Sequence, residues 1–286
     1  MKKMILFTLI YVLIISCNKK RKIVDYYSNE RIKSLYYLDG TNITGKYEEY
    51  YENGNPKAIY LYNMGEKNDS SIHYYENKKG QIKAVKYWKN NIAYYQKDFF
   101  ENGKLMKEGG LLKDNFRIGK WHLYSPENYK SEVIEYFNIN NASYINQSWK
   151  LDKNGDTLTG GAFYELRKKD TVLLNEPIRF HFFLRQRVLL NSELYLCFAK
   201  KGSVLKHDFS NQYEVLLDTV KNMSIELKMH PIFKHRQYDV LFDLMPRKKG
   251  HDTLRGFLLE KEFVSNNDTV DFYTRQFYFN VPYYVK

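Results

Sequence analysis

Phe99-Phe100-Glu101-Asn102-Gly103-Lys104-Leu105-Met106-Lys107-Glu108-Gly109-Gly110-Leu111-Leu112-Lys113-Asp114-Asn115-Phe116-Arg117-Ile118-Gly119-Lys120-Trp121-His122-Leu123-Tyr124 reads as one unit of a short β-repeat. An aromatic pair leads into Glu-Asn-Gly, a strand-like run follows, polar residues interrupt it, and Gly119-Lys120-Trp121 opens the next strand. Asn-Gly between strand-like runs predicts a tight hairpin of type I′, because both central positions of that turn need positive φ.

Weaker copies flank the unit. Tyr26-Tyr27, Tyr50-Tyr51, Tyr74-Tyr75, Phe99-Phe100 and Leu123-Tyr124 recur every 24 or 25 residues, and the first four are followed by Ser-Asn or Glu-Asn. Asn154-Gly155 supplies a further turn at looser spacing. Between the turns the chain alternates, as in Lys57-Ala58-Ile59-Tyr60-Leu61-Tyr62 and Gln81-Ile82-Lys83-Ala84-Val85-Lys86. Period-two alternation belongs to strands with one face wetter than the other. Self-similarity at this period predicts an elongated array of hairpins stacked edge to edge over residues 26–160.

The motif Glu108-Gly109, Asn115, Gly119-Lys120-Trp121-x-x-Tyr124 resembles the MORN-variant repeat of bacterial surface and secreted proteins. Gly45 to Gly54 follows the same template, with Tyr47 where the Trp usually stands. The resemblance covers about half of the chain that would follow the leader, and implies a twisted, mostly single-layer meander with aromatic ladders and no catalytic residues. On the reading from composition alone, Tyr51, Tyr75, Phe100, Trp121 and Tyr124 are candidates for an exposed binding face. The chain has 27 Tyr, too many for all to be buried in so thin an array. Cross-strand stacking of the same rings is the competing use.

After Gly160-Gly161 the 24-residue phase stops. Strand-length runs at 178–184, 193–198, 213–217, 224–229, 238–244, 253–259 and 272–281 alternate with turn chemistry such as Asn175-Glu176-Pro177 and Lys201-Gly202. This predicts an antiparallel β-sandwich of immunoglobulin-like type over residues 161–286. The whole chain is therefore expected to be all-β, with a β-repeat array followed by a sandwich.

The N-terminus carries a different message. Met1-Lys2-Lys3 precedes an uncharged apolar run, Met4 to Ile15, too short to span a bilayer but suited to a signal peptide. Ile14-Ile15-Ser16-Cys17 resembles a bacterial lipobox. The resemblance implies cleavage after residue 16 and acylation of Cys17, with residues 17–25 as a basic tether. Lys19, Lys20, Arg21 and Lys22 would then meet anionic headgroups, each contributing about 1 kcal/mol near the surface. Asn18 is not the aspartate that retains some lipoproteins at the inner membrane, so the outer membrane is the expected location.

The formal charge of +12 could suit nucleic acid. Beyond the tether, however, Lys and Arg interleave with Glu, Asp and Tyr instead of forming a stripe, so nucleic acid is not an expected partner. With Cys17 lipidated, Cys197 is the one remaining thiol. In Leu194-Tyr195-Leu196-Cys197-Phe198 it reads as a small core hydrophobe. Asp152-Lys153-Asn154-Gly155-Asp156 lacks the glycine and glutamate positions of a calcium loop and reads as a hairpin turn. His181 reads as a core or face histidine, and His230 with His235 would need further ligands to hold a metal. No motif of a nucleotide-binding loop, serine hydrolase or zinc protease occurs. The expected function is a non-catalytic, lipid-anchored envelope module, without cofactor or metal, that binds a protein or glycan. The alternatives are an envelope hydrolase with a site in the C-terminal β domain, or an immunity-like protein that masks a toxin.

Overall fold

A computed structural model of the chain describes residues 20–189, 191–221, 238–266 and 269–286. The lipobox and Cys17, the run 224–229, and His230 and His235 lie outside the described residues.

Among the described residues the chain is all-β, apart from a single 3-10 turn at Lys113–Asn115. The strands are β1 (Arg21–Tyr26), β2 (Ile32–Asp39), β3 (Asn42–Ile43), β4 (Gly45–Tyr50), β5 (Pro56–Asn63), β6 (Glu66–Tyr74) and β7 (Ile82–Lys89). They continue as β8 (Ile92–Phe99), β9 (Leu105–Leu111), β10 (Arg117–Tyr124), β11 (Lys130–Ile139), β12 (Ala142–Leu151) and β13 (Thr157–Arg167). Last come β14 (Thr171–Val172), β15 (Ile178–Gln186), β16 (Ser192–Ala199), β17 (Leu217–Lys221), β18 (Asp239–Leu244), β19 (Gly250–Asn266) and β20 (Thr269–Val285). One sheet of 15 strands runs β1-β2-β4 and onward in chain order to β13, then β15 and β18, with β3 beside β2. A second sheet of 5 strands has the order β14-β20-β19-β16-β17.

Two kinds of turn recur in the meander. Along one margin Met64-Gly65, Asn90-Asn91 and Asn140-Asn141 have positive φ at both positions, as type I′ hairpins require. Along the other lie the Asn-Gly turns, and here the expectation of type I′ is corrected. Gly54 is left-handed (φ 86°) while Asn53 is not among the positive-φ residues. The Tyr51 amide donates to the Asn55 carbonyl (2.9 Å), and the Gly54 amide to that of Tyr51 (2.9 Å). This is the three-residue loop in which a type I turn is followed by a left-handed bulge residue. Asn serves it through its side chain, as Asn53 Oδ1 accepts the amide of Asn55 (2.9 Å), and Asn102 Oδ1 that of Lys104 (3.0 Å). The carboxylate of Asp152 does the same for Asn154 (2.9 Å) and Asp156 (2.8 Å), so the calcium-like stretch is a hairpin turn.

The turns after β1, β4, β6, β8 and β10 are each preceded by a one-residue register slip, at Asp25/Tyr26, Glu49/Tyr50, His73/Tyr74, Asp98/Phe99 and Leu123/Tyr124. The slips fix the phase of the repeat. Tyr124 is equivalent to Phe99, and the residue equivalent to Phe100 is Ser125, whose amide donates to the Tyr129 carbonyl (2.9 Å). Pairing Leu123-Tyr124 with Phe99-Phe100 from the sequence puts the fifth unit one residue out of phase.

The sheet does not stop where the repeat does. Gly160-Gly161 lies within β13, which pairs with β12 on one side and β15 on the other. From β11 onward the long sheet has a partner layer. Ile178, Phe180, Phe182, Leu184 and Val240 meet Leu194, Leu196, Leu258, Phe277 and Phe279 of the second sheet in the largest apolar core. The alternation of β15 places Ile178, Phe180, Phe182 and Leu184 inward, with Arg179 and Arg185 in solvent. Of the remaining sequence-read strands, 213–217 is corrected. Residues 200–216 form turns, with Tyr213 88% exposed, because Asn211 closes the segment with hydrogen bonds to the Lys206 amide (2.8 Å) and the Val204 carbonyl (2.9 Å).

Asn146 joins the array to the second sheet, beside Tyr144, whose hydroxyl donates to the Gln276 carbonyl (2.7 Å), and Arg275, which donates to the Asn146 carbonyl (3.0 Å). Asn146, fully buried, lies at a bulge of β12. Its Nδ2 donates to the Tyr278 carbonyl (2.9 Å) and its Oδ1 accepts the Tyr278 amide (2.7 Å), so the side-chain amide replaces a strand partner. Glu135 accepts from both Asn146 and Gln147 (2.8 Å each), leaving this buried polar joint well satisfied.

Candidate binding groove

Of the aromatic residues read from sequence as a binding face, Trp121 is buried, and Tyr51, Tyr75, Phe100 and Tyr124 are half-buried. The Tyr27 hydroxyl donates to the Tyr50 carbonyl (2.7 Å), that of Tyr51 to Tyr74 (3.0 Å), and that of Tyr75 to Phe99 (2.7 Å). These bonds tie each hairpin turn to the next. Phe100 occupies the same place without a hydroxyl. Phe100→Tyr is therefore expected to add a bond to the Tyr124 carbonyl and to stabilise the array by about 0.5–1.5 kcal/mol. A urea midpoint that does not rise would show that the site is not equivalent.

Trp121 is 1% exposed, and its Nε1 donates to the Gly110 carbonyl (2.9 Å). The Tyr124 hydroxyl donates to Glu108 (2.9 Å). Burial and the Glu108 carboxylate push the Tyr124 phenol up to about 12. Burial pushes the Glu108 carboxyl upward, but hydrogen bonds from Tyr124 and Tyr95, with the charge of Lys97, outweigh it and hold the group below its ordinary value. Other rings stack across strands, as Tyr36 on Tyr47 (5.0 Å) and Tyr47 against Tyr60 (6.0 Å). The ladder is the array's packing.

The nucleophile and acid-base candidates also have structural partners. Cys197 is 4% exposed, and burial raises its thiol to about 11, which suits the core role read from sequence. His181 lies on the outer face of β15 with its Nε2 3.0 Å from Asp239, in a row with the bidentate Arg179–Asp243 pair and Arg185–Glu165. His207 is exposed in the 200–216 turns. Among the described residues no three His, Cys, Asp or Glu side chains are gathered to hold a metal.

A large concavity lies elsewhere among the described residues. A groove of about 1150 Å³ opens where β16 and β18 end, β19 begins and β20 ends. Its floor holds Leu205 (1% exposed), Leu254 (7%), Phe198 and Pro246, while Val204 (73%) and Met245 (54%) stand at its mouth. Lys201 projects from the turn after β16, and Arg247 and Lys248 from the turn after β18. All three are exposed, and among the described residues none is ion-paired with a carboxylate. The fourth cation, Arg255, is spent on the fold: its Nε donates to Asn280 (2.6 Å) and its Nη1 to the Leu205 carbonyl (2.7 Å).

Asp252 is likewise engaged. It accepts the Thr253 amide (2.8 Å) and the Tyr283 hydroxyl (3.1 Å). Burial, followed by the neighbouring Asp252, pushes the Tyr283 phenol up to about 12. The groove thus combines an apolar floor with positive groups at the rim that no carboxylate pairs, the usual make-up of a binding site with few orienting polar groups.

Sequence reasoning missed this site because its lining spans residues 198–283. The available signal was the pair of short basic turns Lys200-Lys201-Gly202 and Arg247-Lys248-Lys249-Gly250. In comparisons with known proteins, the chain matches no family model and no curated protein sequence.

Proposed function

We propose that the protein is a non-catalytic, lipid-tethered binding module of the cell envelope, in which the β-repeat array is an arm and the C-terminal groove is the binding end. The observation that carries this reading is the placement of the groove. All its lining residues follow β13, whereas the tether, residues 17–25, extends through most of β1 at the opposite end of the meander. Twelve strands lie side by side from β1 to β13, and at about 4.8 Å per strand they set the two ends about 50 Å apart. A binding site held at that distance from an acylated Cys17 would reach past the headgroups of the outer membrane.

On this reading the hairpin units are MORN-variant-like, supported by the recurring bulge, turn and Tyr-to-carbonyl bond. The C-terminal pair of sheets is an immunoglobulin-like sandwich, supported by their shared apolar core. The partner is an envelope protein or glycan, and its contacts fall on the groove instead of the ring ladder.

The test is metabolic labelling with palmitate and membrane fractionation of the native chain beside Cys17→Ser. The native chain is expected to carry label and to sediment with outer membranes, while the variant is unlabelled and released. A variant that stays with the membrane to the same extent would remove the tether from this reading.

A further inference from the structure

Two features of the groove are left unsatisfied by the fold. Val204 and Met245 expose apolar side chains beside an already buried floor, so covering them removes apolar surface from water at little cost in ordering. Lys201, Arg247 and Lys248 stand around them from two separate turns. The acidic groups near them do not cancel this charge. Both oxygens of Asp252 are bound within the protein, and Asp218 is a single carboxylate among the lining residues.

The ligand that satisfies both features has apolar groups and negative charges distributed along one chain. A polyphosphate offers nothing to Leu205, Leu254 and Met245. A neutral apolar chain leaves the cations unused. A compact anion would favour cations converging from one loop, whereas these flank the floor from two.

Resting on the reading of the groove as the binding end, we propose that it takes an acidic peptide segment. The segment's apolar side chains cover Val204, Met245 and the Leu205–Leu254 floor, and its carboxylates face Lys201, Arg247 and Lys248. Rim charges of this kind contribute modestly to affinity and strongly to selection and salt dependence.

The test uses the full chain and fluorescence anisotropy with three probes: a labelled decapeptide alternating Glu and Leu, its Lys-Leu counterpart, and phosphatidylglycerol vesicles as competitor. The Glu-Leu peptide is expected to bind and to weaken as salt rises. Arg247→Glu with Lys248→Glu should lower its affinity at least tenfold. The Lys79→Glu, Lys89→Glu pair makes the same change in net charge at exposed sites in the array and should have little effect. Equal binding of the two peptides, or equal loss in both charge-reversed pairs, overturns the proposal. Vesicle binding without peptide binding assigns the groove to a membrane and also overturns it.

A Val204→Trp variant separates this inference from the reading beneath it. If that variant blocks both peptides while charge reversal does nothing, the groove remains the binding end and the acidic preference is lost. If Val204→Trp leaves peptide binding intact, the groove itself is not the site.

Discussion

Replacing Glu260 by Ala is expected to lower the stability of the C-terminal pair of sheets by about 2–4 kcal/mol. Glu260 is fully buried on β19. Its carboxylate accepts the Val188 amide (3.1 Å), the Leu189 amide (3.0 Å) and the Ser192 hydroxyl (2.8 Å). One side chain therefore holds three points of the connection between β15 and β16, the segment that carries the chain from the long sheet to the short one, and Glu262 adds a fourth at the Asn191 amide (3.0 Å). Alanine would strand three donors and leave a polar void, whereas Glu260→Gln keeps one carbonyl acceptor and should lose about half as much. Urea unfolding, with hydrogen exchange at the β16 and β19 amides, measures it. If the alanine variant unfolds at the native midpoint, water replaces the carboxylate and the connection is not held as described.

The legibility of this fold in its sequence differs from feature to feature. Alternation located most strands, because a sheet wet on one or both faces prints its period directly into the chain, as in Ile178 to Leu184. Turn type was hidden. Asn-Gly serves both a type I′ turn and a type I turn with a following bulge, and only the register slip beside Tyr50 or Phe99 distinguishes them. The same slip placed Ser125, not Tyr124, in the position of Phe100. Leu123-Tyr124 imitates an aromatic pair well enough to mislead a count of spacings.

Residue type also could not reveal exposure. Tyr51, Tyr75 and Trp121 have the composition of a binding face, yet each finds a backbone carbonyl, on the next hairpin turn for the two tyrosines and on the adjacent strand β9 for Trp121. The alternating run at Tyr213 is a turn because Asn211 makes short-range bonds that compete with a strand ladder. The groove was the least legible feature. Its parts are turns far apart in the chain, joined only once the two sheets have met.

The last prediction concerns the stretch from Phe99 to Tyr124 itself. Trp121→Ala is expected to destabilise the array by about 3–5 kcal/mol, the range for a fully buried aromatic. The ring packs with Ala93, Leu111 and Tyr136, lies beneath the Arg117 guanidinium (4.6 Å), and approaches Tyr136 edge-on (6.3 Å).

The space for the ring is made by Gly109. A Cβ at that position would stand 2.4 Å from three atoms of the indole, so Gly109→Ala must push the ring out or part β9 from β10. That cost is at least the 1–3 kcal/mol or so of ordinary overpacking. The two changes share one volume, so their effects should not add. In the double variant the new methyl enters the cavity left by the indole, and Gly109→Ala becomes nearly neutral or slightly favourable. A double-mutant cycle should then give a coupling of about 1–3 kcal/mol. Simple additivity within about 0.5 kcal/mol would mean that Gly109 is tolerated for its backbone alone. The packing of indole on glycine, the most specific local feature in the repeat, would then carry none of its stability.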